Sequence, residues 1–320
     1  MMQTIKKLNF ININQRRHVD AGITRSGFIM QKYRRFLPEI GMLLPAIILL
    51  LIFVFIPFFL SAYFSFTNEK LMPRPIPTQL LGFRNYERVL TDPEFWQAVK
   101  NTVYFALWVI PIQLSLSLGS AILLNSKMKA IGFFRSITIL PMLTPMTVIV
   151  AIWAALLQTP DGMFNGLYQW ITQSEGYIDW LGDGDTALFS IVMLSAWATF
   201  PFQMLIYLAG LQEIPADRYE AASIDGFSNW NKFRYITLPG LRNTNIFVVI
   251  ITTIGALSLF TQVNMLTQGG PNGSTMTIIQ YMFINGFQAQ KIGYASSVSV
   301  IFFIAVATLG ILQRHLMKNE

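Results

Sequence analysis

The chain holds few side chains able to make or break bonds. It has no cysteine, so disulfides, thiolate metal sites and cysteine nucleophiles are excluded. Its two histidines, His18 and His315, lie near the termini and join no recognisable catalytic constellation. No metal-ligand spacing occurs, and no G-x-x-x-x-G-K-[ST] phosphate loop. What the spacing supplies instead is a surface. Residues 219–239 read YEAASIDGFSNWNKFRYITLP, a polar, helix-prone island between two strongly apolar segments. Glu220 and Asp225 give it charge, and the small Ala221 and Ala222 permit close approach of another surface. A second set is polar but uncharged and lies inside apolar stretches: Asn101, Gln113, Gln203, Gln262 and Asn264. Amides there can hydrogen-bond a polar solute, and Trp197 and Tyr207 offer aromatic faces. The competing role for such amides is hydrogen bonding between helices.

Those residues need membrane helices to position them. The 320 residues are 53% hydrophobic and 12% charged, where soluble domains carry about 25% charge. A membrane span needs about 20 apolar residues, and six stretches qualify: 40–66, 99–124, 136–157, 187–211, 243–266 and 292–313. The first starts too late and runs too long for a cleaved signal core, so it is expected to be a retained span. Eight of the 23 Lys and Arg precede it, from Lys6 to Arg35. The 125–135 and 212–242 loops are also basic, whereas the 158–186 loop has five acids and no Lys or Arg. Cytoplasmic loops carry the excess of Lys and Arg, so both termini and the island are expected in the cytoplasm. The net charge of +7 is thereby attributed to membrane flanks rather than to nucleic acid. A basic arm, residues 1–36, is expected to meet anionic lipid, with a short helix around 27–36.

Apart from Lys100 at the edge of the second, the spans contain no Asp, Glu, Lys, Arg or His. Ion-coupled carriers hold such residues at membrane depth, so the driving energy is expected to enter elsewhere. Pro45, Pro57, Pro111, Pro141, Pro145 and Pro201 lie inside spans and are expected to kink them. Within the island, Pro215 suits a first helical position and Asp217 the first turn. Gly226 suits the left-handed residue that ends a helix. Ser228 or Asn229 then caps a second short helix carrying Trp230, Phe233 and Ile236, which Pro239 closes. The pattern predicts helix, glycine turn, helix.

The island resembles the signature of importer-type ATP-binding-cassette permeases: Glu220-Ala221-Ala222, then Asp225-Gly226, then Phe233, Ile236 and Leu238-Pro239. One departure is Phe227, where the family often has alanine. Residues 37–315 are similar to the carbohydrate-import branch, of maltose and glycerol-phosphate type, in further segments. These are Gly82-Phe83-Arg84-Asn85-Tyr86, Asp92-Pro93-Glu94-Phe95 with Asn101-Thr102, and Phe134-Arg135 with Pro141 and Pro145. Asp161-Gly162-Met163-Phe164-Asn165, Leu266-Thr267-Gln268-Gly269-Gly270-Pro271 and Gly293-Tyr294-Ala295 complete them.

The resemblance implies an all-α fold of six membrane helices, residues 37–315, with a cytoplasmic loop at 212–240 and a tail at 316–320. It implies that residues 216–227 form a coupling helix seated in a cleft of an ATP-hydrolysing partner, through Tyr219, Glu220, Ala221, Ala222, Asp225 and Gly226. ATP and Mg would be bound by that partner, not by this chain. A second related permease and an extracytoplasmic solute-binding protein are further implied partners, in a bacterial inner membrane. The expected cargo is a carbohydrate. The branch includes importers of alginate, an acidic polysaccharide, and that substrate is an expectation set against the lack of a cation at membrane depth. Gln203, Gln262, Asn264, Trp197 and Tyr207 are the expected substrate path. The alternatives are a secondary carrier or channel working alone, a membrane-embedded enzyme, and a signalling or scaffold protein.

Overall fold

A computed structural model describes residues 41–72, 77–126 and 129–318. The basic arm, its expected helix at 27–36 and Lys127 lie outside the described residues. The chain divides into two units, residues 1–60 and 61–320. The described part of the first belongs to one apolar helix, α1 Gly41–Phe64, whose residues to Leu60 are all exposed. It widens into a π turn at Leu51–Phe55.

The second unit is built from α2 Arg84–Thr91, α3 Pro93–Asn125, α4 Ile131–Leu143, α5 Met146–Leu156, α6 Met163–Thr172 and α7 Gly184–Gln212. Then follow α8 Ala216–Ile224, α9 Asn229–Lys232, α10 Arg242–Leu257, α11 Thr261–Leu266, α12 Ile278–Phe283 and α13 Ile292–Lys318. The most extensive packing is α3 against α7. Phe105 and Val109 of α3 meet Ile191, Val192 and Ala196 of α7 at one end. Ala121 and Leu124 meet Met204, Leu208 and Leu211 at the other. Ser117 ties the same pair by donating to the Phe200 carbonyl at 3.1 Å. Helix α10 closes on α7 at Gly210, where any side chain would collide with Thr244.

Among the described residues, five helical segments are long and apolar enough to cross a membrane, with α10 and α11 taken together as Arg242–Leu266, and six if α4 and α5 count as one span. Two of the expected spans are not continuous helices: the third bends where its prolines predict a kink, and the fifth has a break that no proline announces. The third is two helices meeting at 100°. Pro145 has no N–H and its ring drives the preceding residue out of helical geometry, so Thr144 is extended at φ −92°, ψ 132°. The fifth is interrupted between α10 and α11 at residues 258–260, where Phe260 stands at φ −140°, ψ −62°. Thr277 donates to the carbonyl of Leu259 at 3.0 Å.

Several short segments that the sequence marks out act as braces between distant parts of the chain. Asn85 donates to the carbonyls of Ser65 and Thr67 at 3.0 and 2.8 Å. Asn101 donates to those of Gly273 and Met276 at 2.8 and 3.0 Å, and Thr102 accepts from the N–H of Ile278. Asp92 caps α3 by accepting from the Glu94 N–H at 2.9 Å. Its other oxygen accepts from Tyr281 at 2.6 Å and Tyr294 at 2.9 Å, joining α12 and α13 to the start of α3. Partial burial works to raise the Asp92 pKa, but the two tyrosine hydroxyls and the Glu94 and Phe95 N–H groups outweigh it. The carboxyl is held below its ordinary value.

A depressed carboxylate pKa means that Asp92 stabilises the fold above its unfolded pKa of about 3.9 and loses that contribution as pH falls through the lower folded value. Asp92→Ala is expected to lose about 2 kcal/mol, the scale of hydrogen bonds to a charged group. Thermal unfolding in mild detergent at neutral pH checks this. The gap between wild type and variant should stay constant at mildly acidic pH and narrow only below about pH 4. A gap that closes already near neutrality would rule out the carboxylate as its origin.

Candidate translocation cavity and docking loop

Residues 212–240 leave α7 and return to α10 at one end of the helical unit. Pro215 is the cap residue of α8 at φ −58°, ψ 132° rather than its first helical residue, because its fixed φ also suits the extended residue that precedes a helix. Asp217 lies in the first turn. Gly226 ends the helix at φ 77°, a left-handed geometry that costs a side chain about 1–2 kcal/mol. The Phe227 N–H then reaches back to the Ala222 carbonyl at 2.9 Å, and the Gly226 N–H to that of Ser223 at 3.3 Å. Ser228 caps α9 by accepting from the Asn231 N–H.

The helical run that starts at Asn229 continues without a break through a π turn, Phe233–Thr237, and a last turn, Leu238–Gly240, before α10. It ends one residue past Pro239, as the pattern predicts.

The expected coupling residues divide by role. The Tyr219 hydroxyl bonds Thr237 at 2.9 Å, and its ring packs with Ile236 against the α3–α7–α10 core. Ala222 is buried beside them. Glu220, Ala221, Asp225 and Gly226 are exposed. Ile224 is 88% exposed and Trp230 65%. Lys232 donates to Ser223 at 2.7 Å, fixing α9 against α8. The loop therefore presents a braced pair of short helices with three exposed carboxylates, Asp217, Glu220 and Asp225, and the large apolar side chains Ile224 and Trp230.

The other feature is a cavity of about 480 Å³ between α3, α4, α5, α7 and α10. Both helix interruptions open onto it: Pro141 and Thr144 line it from the first, Ser258 and Leu259 from the second. Irregular backbone at membrane depth is tolerated only where protein buries it or it lines a cavity. The cavity brings together Gln113, Gln203 and Gln262, and its lining carries no ionisable side chain among the described residues. Gln203 donates weakly to Thr252 at 3.4 Å. Its Oε1 and the Ser195 Oγ are buried without a hydrogen-bond partner. A buried polar atom left unpaired costs about 1–3 kcal/mol. Neutral amides and hydroxyls, two of them unsatisfied, beside the ring of Phe202, suit an uncharged solute rich in hydroxyl groups.

The remaining candidates lie elsewhere. Trp197 stacks near Trp153 at 5.9 Å on another face of α7. Tyr207 is buried in the core between α3 and α7, towards the loop end. Asn264 accepts from Gln280 at 3.3 Å, and Asn101 braces the chain as above. Sequence reasoning missed Ser195, Thr199, Thr252 and Ser258, which line the cavity. Hydroxyls in apolar helices usually turn back to their own backbone, as Thr199 does to Ser195 at 2.6 Å. The usable signal was Pro145, whose break borders the cavity.

A family model described as "Binding-protein-dependent transport system inner membrane component" matches residues 113–319. The chain is 35% identical over 283 residues to the trehalose/maltose transport system permease protein MalF of Thermococcus litoralis, covering 88% of this chain and 94% of that protein. It is 34% identical over 281 residues to the lactose transport system permease protein LacF of Rhizobium radiobacter, covering 86% and 92%. Among solved structures, a chain of a bacterial ABC transporter involved in the import of the acidic polysaccharide alginate superposes with a TM-score of 0.77. It is 21% identical and is covered to 98%, with 91% of this chain, a likeness of fold.

Nothing lies within 4 Å of a Cβ built on Gly226, so Gly226→Ala tests backbone geometry alone. It is expected to destabilise the α8 end by about 1 kcal/mol while leaving the spans folded. Faster amide exchange confined to residues 222–228 is the readout, and unchanged exchange there would contradict the left-handed turn.

Proposed function

The chain belongs to the binding-protein-dependent transport system inner membrane components, and from that premise we propose that it is the translocation subunit of an ATP-driven carbohydrate importer. The observation that carries the reading is the cavity at the two helix interruptions, lined by Gln113, Gln203 and Gln262. Its relatives are named for trehalose and maltose and for lactose, and neutral amides match such hydroxyl-rich solutes. Solute hydroxyls would donate to Gln203 Oε1 and pair with Ser195 Oγ, the two buried atoms of cavity-lining residues that lack a partner among the described residues. Alginate is the acidic alternative, and its carboxylates would need cations from another subunit.

Energy enters through the 212–240 loop. Glu220, Ala221, Asp225 and Gly226 face outward for an ATP-hydrolysing partner that binds ATP and Mg, while Tyr219 and Ala222 hold α8 to the core. Tyr219 makes that connection direct: a force on α8 passes through Thr237 and Ile236 to the packing of α3, α7 and α10. These helices also wall the cavity. Closure of two ATPase subunits would thus draw the helices together and change which side the cavity opens to. A second related permease completes the pathway, and a soluble binding protein delivers solute at the opposite face. The concentration of Lys and Arg on the loops at 125–135 and 212–242 supports a cytoplasmic position for the 212–240 loop and both termini.

Two experiments test this. Pull-down of the tagged chain from gently solubilised membranes should bring an ATPase and a second permease, and Glu220→Lys should lose the ATPase while retaining the permease. Recovery of the chain alone, with uptake that needs no ATP, would favour a self-sufficient carrier. In the reconstituted complex, Gln203→Leu should weaken solute-stimulated ATP hydrolysis roughly five- to tenfold, the worth of a lost hydrogen bond of about 1 kcal/mol. Unchanged stimulation would remove Gln203 from the solute path.

A further inference from the structure

Helix α6, MFNGLYQWIT, contains no charged residue and has two sharply different faces. Asn165 is fully buried and acts as a mount. It donates to the Ile178 carbonyl at 3.0 Å and accepts from the Ile178 N–H at 2.9 Å and from Trp180 Nε1 at 3.1 Å. Ser190 of α7 donates to the Trp180 carbonyl at 3.0 Å, which ties this loop to the second turn of α7. Phe164 faces inward, with its ring 5.5 Å from Trp153 of α5 and 6.2 Å from Trp180. The opposite face carries Met163, Leu167, Trp170 and Ile171, which are 71, 47, 71 and 64% exposed. Their spacing of i, i+4, i+7 and i+8 makes one continuous apolar stripe.

We propose that this stripe lies in the bilayer surface, so that α6 is an interfacial helix seated in the leaflet opposite the 212–240 loop. Three observations select lipid as the occupant. Trp153 stands in the last turn of α5, the second half of the bent third span, and its contact with Phe164 seats α6 against the end of that span. Helix α5 itself leaves Val148 and Ile152 about half exposed, the apolar surface that a span turns to lipid. Trp170 on that stripe is of the kind enriched at the boundary between acyl chains and headgroups. Lastly, a partner that docks and departs would leave four large apolar side chains in water between visits, whereas a leaflet covers them throughout.

The interaction is hydrophobic rather than electrostatic. Residues 158–186 contain Asp161, Glu175, Asp179, Asp183 and Asp185 and no Lys or Arg, so anionic headgroups repel this segment. The consequence is mechanical. A stripe held in the leaflet fixes the depth of the loop and, through Asn165, Trp180 and Ser190, the height of the start of α7. Further along α7 lie Ser195 and Gln203 of the cavity.

Because the chain has no cysteine, single cysteines can be introduced at Leu167 and Trp170, with Thr172 on another face as reference. Each is labelled with an environment-sensitive fluorophore in the full complex, reconstituted in nanodiscs of zwitterionic phospholipid. The labels at 167 and 170 should be quenched severalfold more by shallow doxyl-labelled lipid than by aqueous iodide, with the order reversed at 172. Adding the soluble binding protein should change nothing, and exchanging part of the lipid for an anionic one should not strengthen lipid quenching. Iodide quenching at 167 and 170 equal to that at 172 would overturn the proposal. So would shielding from iodide without lipid quenching, or shielding that appears only with the binding protein, since either makes the stripe a protein interface. If a label at 170 prevents assembly, positions 163 and 171 carry the same test.

Discussion

Backbone that crosses hydrocarbon must satisfy its own hydrogen bonds, and the helical unit depends on how it meets that constraint. Most of its spans do so as unbroken helices, including α3 and α7, whose mutual packing forms the core. Two do not. The chain bends by 100° between α4 and α5 and breaks between α10 and α11. Both interruptions face one cavity, where freed polar groups find protein partners or remain available to a solute. Thr277 takes up the carbonyl of Leu259, while Ser195 Oγ and Gln203 Oε1 stay unsatisfied. Discontinuous helices of this kind place binding groups at membrane depth without burying a charge.

The second organising feature is the way polar braces replace hydrophobic drive. Lipid is as apolar as the helices, so burial of apolar area does little to order one span against another inside the bilayer. Asn85, Asp92, Asn101 and Asn165 supply fixed geometry where the chain leaves or enters a span. Asp92 gathers the starts of α3 and α13 and the side of α12 onto one carboxylate. At the other end, Tyr219 and Thr237 lock α8 to the same α3–α7–α10 core that borders the cavity.

Much of the docking loop was legible in the sequence. The polar island, the glycine turn at 226 and the Ser228 cap depend on residues within a few positions of one another. Pro239 marked the end of the second helical run, but the π turn at Phe233–Thr237 inside that run left no local signal. The cavity lining was only partly legible. Gln113, Gln203 and Gln262 stood out as amides in apolar runs, yet so did Asn101 and Asn264, which the structure uses as braces.

The sequence by itself determined the membrane-crossing segments, the charge asymmetry between their loops, and the family through fixed short spacings. Each of these is local, set by apolar run length or by residues a few positions apart. Only the tertiary structure decided which face of α7 looks into the cavity. Trp197, Gln203 and Tyr207 share that helix, and hydropathy carries no record of its rotation against α3 and α10. It also decided that Asp92 would meet Tyr294, 202 positions away, and that two helix breaks would face each other. Such pairings arise when whole helices dock, and docking is chosen by side-chain shape and hydrogen-bond geometry that no short window of sequence contains.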